Sequence, residues 1–161
     1  MKLLILSDSH GYLQHMVRAV EQLRPTHVIH LGDHASDAQE LGRRFPMTPL
    51  VSVKGNCDYY DQTPEQRLVD FDGVRILMCH GHRHGVKSGL LRYEMAAREQ
   101  QADVALFGHT HCAYCEAYNG LWLVNPGSCG CCGRPTGAVL EIEAGRVFCR
   151  LVRLDEMEEV L

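Results

Sequence analysis

The chain has 161 residues, a net charge of −4, 45% hydrophobic and 22% charged residues. That suits one domain with a sizeable core and leaves no basic footprint for nucleic acid. No apolar run is long enough to span a membrane. "MKLLIL" turns polar at Ser7 and Asp8, too soon for a signal-peptide core, so a cytoplasmic protein is expected, its eight cysteines being thiols or metal ligands.

"KLLIL" is a continuous apolar run of strand length, read as a buried strand. In "DSHGYLQHMVRAVEQLRP", Leu13, Met16, Val17, Val20 and Leu23 fall at helical spacing and Pro25 ends the helix. "HVIHLGD" is a second strand, "SDAQELGRRF" a short helix that can start at Ser36, and "PLVSVKGN" a third strand. Alternating strands and helices favour a parallel sheet with helices packed on it. "QRLVDFDGVRILMCH" reads as a hairpin around Asp72-Gly73. "KSGLLRYEMAAREQQ" is a helix with Leu90, Leu91, Met95 and Ala96 as its apolar stripe, and "DVALFGHTH" holds another buried strand. "CEAYNGLWLVNPGS" and "GAVLEIEAGRVFCRLVRL" are hairpins turning at Asn119-Gly120 and Ala144-Gly145. The sum is a single α/β domain over residues 1–161 whose later sheet is largely antiparallel, with an acidic, solvated "LDEMEEVL" end.

The stretch "MCHGHRHG" sets His80, His82 and His84 at alternate positions directly after an apolar run. It is one of five strand candidates that end in ligand-type residues. The others lead to Ser7-Asp8-Ser9-His10, Gly32-Asp33-His34, Gly55-Asn56-Cys57-Asp58 and Gly108-His109-Thr110-His111. Ligands of open α/β sheets bind at the carboxyl ends of strands, so these residues should share one cleft. Asp, His and Asn form an oxygen/nitrogen set suited to Mn, Fe, Zn or Ni. Two Asp, one Asn and four His are too many for one ion and suit two ions sharing a carboxylate. Two metals roughly 3.5–4 Å apart can acidify a bridging water and clamp a phosphoryl group.

These five segments, in this order, resemble the motifs of calcineurin-like metallophosphoesterases, in particular the small bacterial and archaeal phosphodiesterase branch that is also similar to the Vps29 subunit of retromer. "NPGS" at 125–128 resembles that branch too. The resemblance implies a sandwich of two mixed β-sheets flanked by helices. It implies two divalent transition-metal ions, manganese foremost, with iron, nickel or zinc as alternatives. Asp8, His10, Asp33 and His111 would hold the first ion, and Asp33, Asn56, His80 and His109 the second, with Asp33 bridging. Asp33, Asn56 and His80 would also be catalytic, a metal-activated hydroxide hydrolysing a small phosphate ester.

Where the wider superfamily has a histidine after the third-motif Asn, this chain has Cys57, a poor hydrogen-bond donor titrating near ~8.5 when free. A missing general acid, typically worth about 10²–10⁴-fold, favours diesters with good leaving groups over monoesters. Cys57, Asp58 and His82 are counted with the substrate-binding residues, as are Asn125, Ser128 and Arg134 of the Gly-rich "NPGSCGCCGRPTG", whose backbone N–H groups could cradle a phosphate. A separate zinc site from Cys112, Cys115, Cys129, Cys131 and Cys132 is weighed against buried or exposed thiols, and the thiols are preferred. His15, His27 and His30 are read as structural. The rival to a phosphodiesterase is a Vps29-like scaffold that binds protein partners, disfavoured because all seven ligand positions are retained. Exposed hairpins leave a homo-oligomer open.

Overall fold

The computed structural model describes residues 1–130, 133–156 and 159–160. In chain order the elements are β1 (Lys2–Leu6), α1 (Leu13–Leu23), β2 (His27–His30), α2 (Ala35–Arg44), β3 (Leu50–Ser52), β4 (Gln66–Phe71), β5 (Val74–Cys79), a 3₁₀ turn (His82–His84), α3 (Leu91–Glu99), β6 (Val104–Leu106), β7 (Tyr114–Tyr118), β8 (Leu121–Asn125), β9 (Thr136–Glu143), β10 (Arg146–Arg153) and β11 (Glu159–Val160). They form two mixed sheets, ordered β11-β10-β9-β1-β2-β3 and β4-β5-β6-β8-β7.

The burial of both faces of the sheet explains why β1 is apolar at every position after Lys2. Leu3 and Ile5 face the second sheet, packing in one core with Ile29, Leu31, Ile76, Met78, Val104 and Leu106. Leu4 and Leu6 face the other way, beneath Met16 and Val20 of α1 and Leu41 of α2. On the far side of the second sheet, Leu77, Ala105 and Phe107 lie under Tyr93 and Ala97 of α3. Each such aliphatic side chain taken from water contributes roughly 1.5–3 kcal/mol. The order of layers is therefore helix, sheet, sheet, helix, as the sandwich expectation had it.

Four local expectations need correction. The second sheet is not largely antiparallel: β5–β6 and β6–β8 pair parallel, and only β4–β5 and β7–β8 are antiparallel. The last long hairpin instead joins the first sheet, β9 running antiparallel to β1. Helix α2 starts at Ala35, not Ser36, and no side chain of its own N-cap closes it. The Asp58 carboxylate, from a distant loop, accepts the Ala35 N–H at 2.8 Å. Helix α3 buries Tyr93 and Ala97, with Leu90 partly buried, while Leu91 and Met95 are exposed. The cause is the Tyr93 hydroxyl, which reaches the Leu77 and Leu106 carbonyls and turns the helix to seat it. The acidic end is not wholly a free tail, since β11 pairs with Leu151 and Val152 of β10. Among the described residues no helix is long and apolar enough to cross a membrane.

Candidate metal centre

The carboxyl ends of β1, β2, β3, β5 and β6 open at one edge of the sandwich, so both sheets contribute to one cleft. The chain must turn sharply there. Asp8, His10, Asp33, His109 and His111 all take left-handed backbone angles, with φ between 46 and 69°. Such angles are uncommon outside glycine, although Asp and His tolerate them best, and their clustering marks a site where geometry is held against local preference.

The two buried carboxylates are each tied by one oxygen and aimed by the other. Asp8 Oδ2 accepts the Ser7 hydroxyl at 2.6 Å and the His109 N–H at 3.1 Å. Its Oδ1 is buried with no hydrogen-bond partner and lies 3.1 Å from His111 Nε2, 3.8 Å from His80 Nε2 and 3.9 Å from His10 Nε2. Asp33 Oδ1 accepts the Cys57 N–H at 3.0 Å. Its Oδ2 faces His80 Nε2 at 3.4 Å and His10 Nε2 at 3.8 Å. Gly55 and Gly108 make this packing possible: a methyl group on Gly55 would collide with the Asp33 carboxylate, and on Gly108 with the Ser7 hydroxyl.

His80 decides the chemistry of the space between them. Its Nδ1–H donates to the Leu31 carbonyl at 2.8 Å, which leaves Nε2 as the inward-facing atom. A neutral imidazole then turns a lone pair toward two carboxylate oxygens, and all three are acceptors. A cation or a proton must share that space. Burial opposes charge on His80, yet the Asp33 and Asp8 carboxylates raise its pKa. Burial likewise works against the Asp33 carboxylate, but His80 beside it and the Cys57 N–H hold it below the usual carboxylate range. Two overlapping groups emerge, each with ligand atoms mutually within 4.8 Å: Asp8, His10 and His111, and Asp8, Asp33 and His80. Asp8 is the member common to both, whereas the resemblance had implied Asp33 as the bridge. The His109 ring lies 5.0 Å from that of His80, and Asn56 sits exposed at the mouth. The orphaned Asp8 Oδ1, His10 Nε2 and His80 Nε2 fit divalent transition-metal ions of the oxygen/nitrogen class.

A family model for the calcineurin-like phosphoesterase superfamily domain matches residues 1–145, a span that holds all five strand ends with candidate ligands. The chain belongs to that superfamily. A probable metallophosphoesterase of Bacillus subtilis, YsnB, is 39% identical over 132 residues, 80% of this chain and 75% of that protein. The phosphodiesterase MJ0936 of Methanocaldococcus jannaschii is 28% identical over 159 residues, 85% and 88% of the two chains. In fold, the chain is similar to Vps29 of Entamoeba histolytica in complex with zinc, with a TM-score of 0.77 and 21% identity over 96% and 99% of the chains.

In this member of the calcineurin-like superfamily, three of the six residues expected to touch substrate, Asn125, Ser128 and Asp58, are spent on backbone groups. Asn125 is fully buried; its amide donates to the Gly108 carbonyl at 3.0 Å and Thr110 Oγ1 at 2.9 Å, and its oxygen accepts the Gly127 N–H at 2.9 Å. Ser128 donates to the Asp8 carbonyl at 2.8 Å. Both hold the backbone of ligand loops. The N–H groups of Gly127, Cys129 and Gly130 are taken by Asn125, Ser7 and Ser128, so these three do not cradle a phosphate. Asp58 spends its carboxylate on the Asp33, Ala35 and Gly55 N–H groups, tying the second motif to the third. Arg134 is exposed. Cys57 is exposed as a residue, and the partial desolvation of its thiol, followed by the nearby Asp33 carboxylate, pushes that thiol up to about 11. His82 does lie by the centre, its ring 5.6 Å from His80 and 6.2 Å from His109, with Nδ1 buried and unpartnered. His84 turns away to Gln66.

Sequence reading missed a buried brace. Gly32 N–H donates to His30 Nδ1, so His30 Nε2–H donates to Ser9, whose hydroxyl donates to Asp37 at 2.7 Å. Asp37 also accepts the Gly11 N–H at 2.8 Å. The only signal was Ser9 beside Asp8 and His10, and its partners lie 21 and 28 residues on. Of the rival zinc constellation, Cys131 and Cys132 lie outside the described residues. Among the described residues no cysteine joins a group of three candidate ligands. Cys129 is buried in the core, and Cys115 packs between the sheets beside Cys149.

Proposed function

We propose that the chain is a single-domain, metal-dependent phosphodiesterase that holds two divalent transition-metal ions, manganese foremost, and acts on small phosphate esters. Asp8, His10, Asp33 and His111 would hold one ion and Asp33, Asn56, His80 and His109 the other, with the Asp33 carboxylate shared between them. The observation that carries this reading is the convergence of orphaned Asp8 Oδ1, His10 Nε2 and His80 Nε2 on one space between two buried carboxylates. Two divalent ions in such a cradle supply a water-derived nucleophile at neutral pH and offset charge on phosphoryl oxygens.

The chain's own residues then do the rest. Asp8 and His80 are fully buried at the floor, while the His10 and His111 side chains are 30% and 39% exposed at the rim. A phosphoryl group enters from that rim. Ser7, the His109 N–H and the Cys57 N–H fix the carboxylates before substrate arrives, so no reorganisation is needed on binding. Cys57 stands where a stronger proton donor would serve a poor leaving group. Its weak S–H supports a preference for diesters with good leaving groups.

The test is hydrolysis of bis-p-nitrophenyl phosphate beside p-nitrophenyl phosphate, with metal-stripped protein as blank and Mn²⁺, Ni²⁺ or Zn²⁺ added back. Metal-dependent diester cleavage that exceeds monoester cleavage is the expected result. Metal binding alone does not separate enzyme from scaffold, because a Vps29 also carries zinc. Absence of turnover with every metal would reject the enzyme reading and favour the scaffold.

A further inference from the structure

The loop after Asn56 carries two consecutive aromatic side chains at 81% and 96% exposure, Tyr59 and Tyr60. Scattered apolar residues on a surface need no explanation. Here, however, the loop beneath the rings is firmly held. Asp58 takes three backbone N–H groups, Asp61 accepts the Thr63 N–H at 2.7 Å, and the Lys54 ammonium donates to the Asp61 carbonyl at 3.2 Å. Neither phenol hydroxyl has a hydrogen-bond partner among the described residues. The rings are thus displayed on a fixed backbone, which lowers the ordering cost of using them.

Their position is what matters. Tyr59 lines a cavity of about 330 Å³ that also holds the expected ligand Asn56, together with Lys54, Glu65, His82 and Arg83. It also lines a second hollow of about 440 Å³, shared with Tyr60 and Cys57. Tyr59 is a partition between two open spaces at the lip of the centre. The cations of the first cavity are already engaged: Arg83 pairs with Glu65 at 3.0 and 3.1 Å and Lys54 with the Asp61 carbonyl. What remains free for recognition is aromatic, the Tyr59 ring and the His82 imidazole.

We propose that Tyr59 stacks a flat ring on the non-leaving ester arm of the substrate, so that the site favours phosphodiesters of an aromatic, nucleoside-like alcohol over simple alkyl ones. This rests on the phosphodiesterase reading above and assigns the substrate class and a specificity-determining residue to it. A ring stacked on an aromatic side chain is sequence-tolerant, since every base has a π-face, and strengthens binding by on the order of 10-fold per base.

Thymidine 5′-(p-nitrophenyl phosphate) and methyl p-nitrophenyl phosphate share a leaving group and differ only in the arm in question. With Mn²⁺-loaded protein the thymidine ester should have a kcat/KM on the order of 10-fold higher. Tyr59→Ala should collapse that ratio toward one, chiefly through KM, and Tyr59→Phe should keep it. Saturation-transfer NMR with thymidine 5′-monophosphate gives a readout without turnover: the base protons should receive saturation from the native protein and lose it in Tyr59→Ala. Equal turnover of the two esters, or a ratio that survives Tyr59→Ala, would overturn the assignment while leaving the phosphodiesterase intact. Failure to cleave either ester would overturn both.

Discussion

Asn125→Ala separates a brace from a substrate contact. The native side chain satisfies the buried Gly108 carbonyl and the buried Gly127 N–H, and bonds Thr110 Oγ1, at 2.9 to 3.0 Å. Thr110 is half-buried and can turn to water, and the Gly108 carbonyl keeps the Thr110 N–H at 2.8 Å, so the Gly127 N–H is the group left unpaired. An orphaned buried group costs about 1–3 kcal/mol, so the variant should lose roughly that much stability. For a chain of this size that lowers Tm by roughly 3–10 °C. Urea denaturation and a thermal scan on metal-stripped protein measure it, away from any effect of metal binding. Activity should fall through kcat, because the His109–His111 loop loses its anchor at Gly108 and Thr110. A variant with stability within about 0.5 kcal/mol of wild type and a raised KM would refute the brace and restore Asn125 as a substrate residue.

Asp33→Ala should reduce bound metal from about two ions per chain to fewer than one, since its Oδ2 faces both His10 and His80; metal counting by mass spectrometry that still finds two would sink the ligand set. Cys57→His should raise p-nitrophenyl phosphate hydrolysis by about 10-fold or more if the missing acid limits monoesters, and an unchanged rate would place the limit elsewhere. His30 gives a pH dependence of stability. Burial lowers its pKa from 6.5 to about 4, against the smaller pull of Asp8, Asp37 and Asp58. The unfolded chain therefore binds this proton below pH 6.5 while the folded chain refuses it until about 4. Stability from this group is complete above 6.5 and is lost as pH falls, by about 3 kcal/mol in all. Urea midpoints of metal-stripped wild type and His30→Gln between pH 7 and 4.5 should converge as pH falls; parallel curves would contradict the buried neutral imidazole.

Much of this was legible because local signals agreed with the final fold. Each candidate ligand follows a short, largely apolar strand, so Asp8, Asp33, His80, His109 and His111 could be read as strand-end residues and assigned to one cleft. The Asp72-Gly73, Asn119-Gly120 and Ala144-Gly145 turns were visible for the same reason, and all three take positive φ at both residues. The face of α3 was not legible, because Leu91 and Met95 are as apolar as the residues it buries. What decided it was the Tyr93 hydroxyl finding carbonyls on β5 and β6.

The division at the site has the same origin. Residue type and order along the chain determined which side chains can be ligands, since that is a matter of donor chemistry and strand length. Which oxygen of each carboxylate points inward, and which polar neighbours are braces, was decided only by tertiary structure. Ser128 reaches the Asp8 carbonyl across 120 residues, and Asp58 reaches the Asp33 N–H across 25. A hydrogen-bonding side chain has the same composition whether it meets substrate or backbone, and only the packing of two sheets against each other determines which of the two it meets.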